Sequence, residues 1–312
     1  MHPAPVVIVT GASGGIGEAT ARYFAARGWA VVLAARSADK LARIASAIDA
    51  AGGTALAVPV DVTVPEARAR LVDSTIGTFG RIDALVNNAG LGMSGTIATM
   101  SLDDLDYVFR VNVLAPIALM QAVVPQMRLQ GGGVVVNVSS ISEAIPVPYM
   151  GGYGASKAAL GYMNNAAAVE LHRDRIAVVK VLPGLTTSDF DSNLLESGTG
   201  LSLEQLLAKA DFVRAMPSER VAAAIWDAVR TRKHRRILTL TDRLFVFFAR
   251  HTPGLIHALL QVAAERYVRP DGEPSDASIV GDVNRAGLAL GALLAFGAIL
   301  ASGLHRWLRE RP

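Results

Sequence analysis

Short apolar runs alternate with longer amphipathic stretches from Val6 to about Leu240, and this alternation predicts repeated strand–helix–strand units around one parallel sheet. The runs are Val6–Val9, Ala30–Ala34, Ala55–Pro59, Ala84–Val86, Val134–Val138, Val178–Leu182 and Ile237–Leu240. They are nearly continuous aliphatic stretches, as strands covered by helices on both faces require. Helix starts are marked too: Thr63-Val64-Pro65-Glu66 offers Thr63 as N-cap, a proline in the first turn and a capping-box glutamate. Ser101 with Asp104 repeats that logic less completely. The expected fold class is α/β, a doubly wound parallel sheet forming one domain over residues 1–242.

Beyond Leu240 the pattern changes. From Arg243 to Arg269 large apolar residues (Leu244, Phe245, Phe247, Phe248, Leu255, Ile256, Leu259, Leu260) are punctuated by arginines and broken at Pro253-Gly254, which predicts two short amphipathic helices over residues 243–269. Residues 270–284 open with Pro270-Asp271-Gly272-Glu273-Pro274-Ser275-Asp276, the turn chemistry of an exposed linker. Residues 285–312 contain an uncharged run from Ala286 to Leu304. As a helix that run would be about 28 Å long, against a bilayer core of about 30 Å. Arg285 on one side and His305, Arg306, Trp307, Arg309 and Arg311 on the other stand where interfacial anchors stand. The expectation is a membrane helix, spanning or shallow, with lipid as a partner; burial in a dimer or under another domain is the competing reading. The basic turn Arg230-Thr231-Arg232-Lys233-His234-Arg235-Arg236 is a solvated turn or a contact with anionic lipid.

Composition narrows the chemistry. Hydrophobic residues make up 51% of the 312 and charged residues 18%, which suits a buried core and excludes a disordered chain. A net charge of +3 is too mild for a surface that lives on nucleic acid, so no such partner is expected. The absence of cysteine removes disulfides, thiolate metal sites and cysteine nucleophiles together. The six histidines show no ligand spacing, so no metal is expected. Met1–Pro5 has neither a basic n-region nor an apolar h-region, so an export signal is not expected and the first domain is placed in the cytoplasm.

Strand one runs into Thr10-Gly11-Ala12-Ser13-Gly14-Gly15-Ile16-Gly17 and then an amphipathic helix. A glycine-rich turn at a helix N-terminus binds pyrophosphate, because amides and the helix dipole attract an anion and glycines let its oxygens approach the main chain. The same residues contain G-x-S-x-G, the nucleophile elbow of α/β-hydrolases, but only residues 1–10 precede it, too few for the upstream strands of such an enzyme. Strand two ends Leu33-Ala34-Ala35-Arg36, with alanine where an NAD site places a ribose-binding acid. Arg36 could instead pair with a 2′-phosphate, which favours NADP(H) over NAD(H).

In mid-chain, Tyr153-Gly154-Ala155-Ser156-Lys157 opens a helix and puts tyrosine and lysine on one face. An ammonium near the phenol stabilises phenolate and would lower the tyrosine pKa towards neutrality, suiting it to exchange a proton with a carbonyl or alcohol oxygen. Strand Val134–Val138 delivers Ser139-Ser140 to the sheet edge where ligands bind, and a serine hydroxyl there can hydrogen-bond the substrate oxygen.

These features, in this order, resemble the short-chain dehydrogenase/reductase (SDR) family over about residues 5–240. The residues that carry the resemblance are Thr10-Gly11 through Gly17, Asn87-Asn88-Ala89-Gly90 after strand four, the Ser–Tyr–Lys set, and Pro183-Gly184 after strand six. The resemblance implies a Rossmann-like fold with Tyr153 as general acid in reduction and Lys157 holding the nicotinamide ribose while lowering the tyrosine pKa. It implies Ser140, thirteen positions before Tyr153, as the third catalytic residue, with Ser139 as the fallback. Asn112 matches the family asparagine whose main chain holds a water linking the lysine to solvent; its other reading is a polar residue at a local helix kink. Thr10, Gly11, Ser13, Gly15, Ile16, Gly17, Arg36, Asn88, Ala89, Gly90, Pro183, Gly184 and Ser188 complete the implied cofactor set, with Asp61 and Val62 against the adenine. Ser188 fits the family threonine best by count among Thr186, Thr187 and Ser188. The chain departs from the family at Ile141-Ser142-Glu143, where a small residue and glycine are usual, so a carboxylate is expected to border the pocket. The 185–201 loop is the expected substrate lid.

The resulting reading is NADPH-dependent reduction of an apolar, lipid-like ketone or aldehyde, or the reverse oxidation, by a homo-oligomer. Its alternatives are an NAD-dependent alcohol or hydroxysteroid-type dehydrogenase and a non-catalytic, membrane-bound nucleotide-binding scaffold.

Overall fold

A computed structural model describes residues 3–187, 194–198 and 215–267. Ser188, part of the 185–201 loop, the 270–284 linker and the apolar run of 286–304 lie outside the described residues. The strands in chain order are β1 (Val6–Thr10), β2 (Ala30–Ala35), β3 (Thr54–Pro59), β4 (Ala84–Asn87), β5 (Gly92–Ser94), β6 (Gly133–Val138), β7 (Ile176–Leu182), β8 (Thr186–Thr187), β9 (Leu194–Glu196), β10 (Met216–Pro217) and β11 (Arg235–Ile237). Seven of them form one parallel sheet in the order β11-β7-β6-β4-β1-β2-β3. The chain winds outward in both directions from the β1–β4 pair, which makes that pair the switch point where such sheets bind ligands.

Alternate residues of each strand serve the two faces. Val7 and Val9 of β1 pack with Phe24 of α1 (Gly15–Ala25), Leu41 and Ile44 of α2 (Ala38–Ala50), and Val221 and Ile225 of the helix Ser218–Thr231. Val6 and Ile8 pack with Leu71 of α3 (Pro65–Phe79) and with Leu119 and Val123 of α5 (Ala115–Leu129). Every residue of β1, β2 and β6 is buried, and burial on both faces is why these strands are mostly aliphatic. Phe24 anchors one layer, its ring edge-on to Trp29 at 5.2 Å and to Trp226 at 5.1 Å.

α4 (Leu102–Phe109) runs through a π-helical turn, Arg110–Leu114, into α5. The combined helix is long and apolar enough to cross a membrane by length and composition, but Leu119, Val123 and Met127 lie in the core, as in a core helix of a globular domain.

Two local expectations are corrected. The last sheet strand is Arg235–Ile237 and not Ile237–Leu240, because Thr239 caps the next helix, Leu240–His251, by accepting from the Asp242 amide at 3.0 Å. Thr63 does not cap α3. Its hydroxyl donates to Asp61 at 2.7 Å, and Val64 occupies the N-cap position. Ser101 does cap α4, accepting from the Asp104 amide at 3.3 Å.

The helix Leu240–His251 is followed by Pro253–Tyr267. Val246 of the first packs on Leu182 and Ile237 with Ile141 and Ile145 alongside, so this helix lies against the turn that follows β6.

Candidate active site

The C-terminal ends of β1, β2 and β4 surround a cavity of about 370 Å³. Its lining contains Gly11, Ser13, Gly15, Ile16, Arg36, Asp61, Val62, Asn88, Ala89 and Gly90. Thr10 and Gly17 stand behind it as supports. Thr10 Oγ accepts from the amides of Asn88 and Ala89, each at 3.0 Å, and donates to the Val86 carbonyl at 3.3 Å, fastening the glycine turn to the end of β4. A Cβ at Gly17 would overlap the Gly11 carbonyl oxygen, so the turn closes only with glycine there. A nicotinamide dinucleotide fits this cradle: the glycines leave backbone open to a pyrophosphate, and the cavity is long enough to reach from the turn to Asp61.

Sequence reasoning missed Lys40 and Tyr107, which also line the cavity. Lys40 lies in the first turn of α2, the helix that Arg36 precedes, so two cations rather than one stand at that end. The signal was available in the spacing Arg36-x-x-x-Lys40 across a helix start. Burial pushes the Asp61 carboxyl up, but hydrogen bonds from the Thr63 hydroxyl and amide and the nearby Arg36 outweigh it and hold the group below its ordinary value.

The reactive set gathers at the ends of β6 and α6 (Gly151–Glu170). Tyr153 is 8% exposed and Lys157 is 5% exposed. The Tyr153 hydroxyl is hydrogen-bonded to Ser140. Ser139 turns the other way, donating to Glu143 Oε2 at 2.9 Å and to the Lys157 carbonyl at 3.4 Å. Of the two serines, Ser140 is therefore the one that meets the tyrosine. Lys157 Nζ donates to the Val138 carbonyl at 3.1 Å and sits 5.7 Å from the Tyr153 ring centre.

Here the expected pKa shift is corrected. Burial pushes the Tyr153 phenol up to about 12, with the Ser140 hydrogen bond pulling only partly the other way. Burial likewise pushes Lys157 down to about 8, against the pull of the Glu143 carboxylate.

Asn112 sits in the π-helical turn, fully buried. Its Oδ1 accepts from the Leu91 amide at 2.8 Å, and its Nδ2 donates to the Leu91 carbonyl at 2.9 Å and to Ser156 Oγ at 3.0 Å. One side chain thus ties the loop after β4 to α6 beside Lys157, and π-turns of this kind concentrate at functional positions. Pro183 and Gly184 follow β7, where the Pro183 carbonyl accepts from the Ile141 amide at 3.1 Å. Neither lines the cavity just described.

Glu143 lines the second cavity described below, as expected, but its carboxylate is turned inward. Its side chain is 3% exposed and is paired with Lys180 at 2.8 Å. Lys180 is a third residue that sequence reading missed; its signal was a lone charge inside the apolar strand Ile176–Leu182. Beyond the Ser140–Glu143 turn lies a second cavity of about 440 Å³, bounded by Ile97, Ile145, Val147, Pro148 and Met150 and by Ser142 and Gly154 on either side of the reactive set. Among the described residues no cluster of His, Asp and Glu has the arrangement of a metal site.

Comparison with known proteins agrees with this geometry. Residues 5–198 match the family model described as short chain dehydrogenase. The ketoacyl reductase HetN of Nostoc sp. is 32% identical over 72% of this chain and 75% of its own length. The 3beta-hydroxysteroid dehydrogenase 1 of Eggerthella lenta is 34% identical over 70% of this chain and 85% of its own. A solved metagenomic short-chain oxidoreductase in complex with NADP superposes with a TM-score of 0.63 at 31% identity, over 76% of this chain and 99% of that one.

Proposed function

This chain belongs to the short-chain dehydrogenase/reductase family of NAD(P)-dependent oxidoreductases, and we propose that it reduces an apolar, lipid-like ketone or aldehyde with NADPH, the reverse oxidation using the same atoms. The observation that carries the reading is the buried Tyr153 hydroxyl, hydrogen-bonded to Ser140 and one helical turn before Lys157, at the sheet edge that also forms the glycine cradle.

The nicotinamide supplies the hydride in reduction. The chain's own residues manage the oxygen and its proton. Ser140 donates a hydrogen bond to the carbonyl oxygen, and Tyr153, kept protonated by burial, passes its proton to that oxygen as it gains charge. Lys157 stabilises the phenolate left behind and holds the ribose, and Asn112 fixes the helix turn through which the proton is replaced. Gly11, Ser13, Gly15 and Ile16, with Thr10 and Gly17 supporting the turn from behind, would hold the pyrophosphate, and Asp61, Val62, Asn88, Ala89 and Gly90 would surround the adenosine. Pro183 and Gly184, after β7, would border the nicotinamide; Ser188, the third residue expected there, lies outside the described residues.

Preference for NADPH is supported by Arg36 and Lys40 at the end of the cavity where the adenosine ribose lies, since two cations suit a 2′-phosphate. An apolar substrate is supported by the Ile97–Ile145–Val147 cavity beside the reactive set. The run 286–304 would keep the enzyme near such substrates at a membrane; flotation of the full chain with liposomes, compared with a chain ending at Arg269, tests that part.

The cofactor reading is tested by following nicotinamide fluorescence while NADPH and NADH are titrated separately into wild type and Arg36→Ala. Tighter NADPH binding that Arg36→Ala removes is the expected result. Equal or tighter NADH binding would replace it with an NAD-linked dehydrogenase, and binding of neither would favour the scaffold.

A further inference from the structure

The buried Glu143–Lys180 pair takes no part in the chemistry described above, yet it lies directly under it. Removing two charges from water costs several kcal/mol per ion unless each is fully met by partners, so a lysine in the middle of a sheet strand is not there for stability alone. Lys180 Nζ donates to Glu143 Oε1 at 2.8 Å and to the Gly161 carbonyl of α6 at 3.3 Å. The other carboxylate oxygen accepts from Ser139 Oγ at 2.9 Å. A Cβ at Gly161 would fall 2.5 Å from that same oxygen, so α6 keeps a glycine where the carboxylate packs. From outside, Arg250 of the helix Leu240–His251 reaches Glu143 Oε1 at 3.6 Å.

Glu143 therefore joins four elements: the turn after β6, strand β7, helix α6 and the helix Leu240–His251. We propose that Glu143 is a positioning residue: it fixes the Ser139–Ser140 turn against α6 beside Lys157, with Lys180 holding the carboxylate from β7. The proposal rests on the reductase reading only for the identity of the reaction that is positioned. The charged groups around Glu143 are Lys180 on β7, Lys157 on α6 and Arg250 on the C-terminal helix, with Tyr153 as the neighbouring titratable group of α6. Glu143 pulls Lys157 towards its charged form, against the burial that pushes the group down to about 8. Arg250, half exposed, competes for the same carboxylate.

Opposite signs for two variants test this. The full chain is labelled with 13C and 15N in its five lysines, and the Lys157 signal is assigned by difference from Lys157→Arg and titrated. The double variant Glu143→Gln/Lys180→Met removes both charges of the pair and so avoids the unpaired partner that either single change would leave. Its Lys157 midpoint is expected to fall, by about one unit, equivalent to about a tenfold lower ratio of charged to neutral lysine at a given pH. Arg250→Ala, a half-exposed change, is expected to raise the midpoint slightly. With 2-decanone and NADPH as the probe pair, the double variant should lose about tenfold in kcat at an unchanged KM for NADPH. Unmoved Lys157 midpoints in both variants would overturn the proposal, and if the double variant fails to fold, an unmoved midpoint in Arg250→Ala does so alone. A wild type that binds NADPH but reduces no ketone would count against the function and leave the lysine titration to decide this inference.

Discussion

The two halves of the site are built from different materials. Around β1 and β4 the cradle is made of main chain and small residues, held by Thr10 and Asn88 within the loops that follow those strands. Around β6 and β7 the reactive set is made of buried polar side chains bonded to one another: Asn112 with Ser156, Ser139 with Glu143, Glu143 with Lys180. A cradle tolerates no added atom. A charge cluster tolerates no missing partner.

That contrast is broken or sharpened most strongly at Gly17. Gly17→Ala should cost about 3 kcal/mol through overpacking against the Gly11 carbonyl and abolish cofactor binding, read by denaturant unfolding and NADPH fluorescence. Gly52→Ala, at φ 81° with nothing near its Cβ, should cost about 1 kcal/mol and leave binding intact. On the reactive side, Asn112→Ala removes hydrogen bonds to Leu91 and Ser156 and should cost about 2 kcal/mol while lowering kcat more than it raises KM for NADPH.

The pH prediction concerns Lys157. The unfolded chain keeps this lysine protonated up to about 10.5, whereas the native protein releases the proton near 8. Between those values the unfolded state binds more protons, so this group makes stability rise with pH across that window. Activity moves oppositely: reduction that needs charged Lys157 should decline as pH rises through about 8. Urea midpoints at both ends of the window, for wild type and Lys157→Met, check the first part, and a rate profile checks the second. The smallest effect is expected at Lys40→Ala, which should weaken NADPH binding a few-fold, about 0.5–1 kcal/mol, without changing NADH binding.

The same division explains what was legible in the sequence. Aliphatic runs mark β1, β2, β4 and β6 because double-sided burial demands them, and glycine spacing marks the cradle because only glycine closes it. β11 was misplaced because two of its three residues are arginines at a sheet edge, and Thr239, which caps the next helix, was read as strand. Glu143 was noticed as a departure, but its inward turn depends on Lys180, and no local pattern links the two. The raised Tyr153 pKa was missed because spacing reports proximity to Lys157 and says nothing about desolvation.

The central claim, that buried Tyr153 is the proton donor of a working oxidoreductase, is tested most directly by Tyr153→Phe. NADPH binding and NADPH consumption at 340 nm are measured side by side over a set of apolar ketones and aldehydes. The account predicts unchanged binding and a fall in turnover of about 10²–10⁴-fold. A phenylalanine variant that consumed NADPH at the wild-type rate would contradict it.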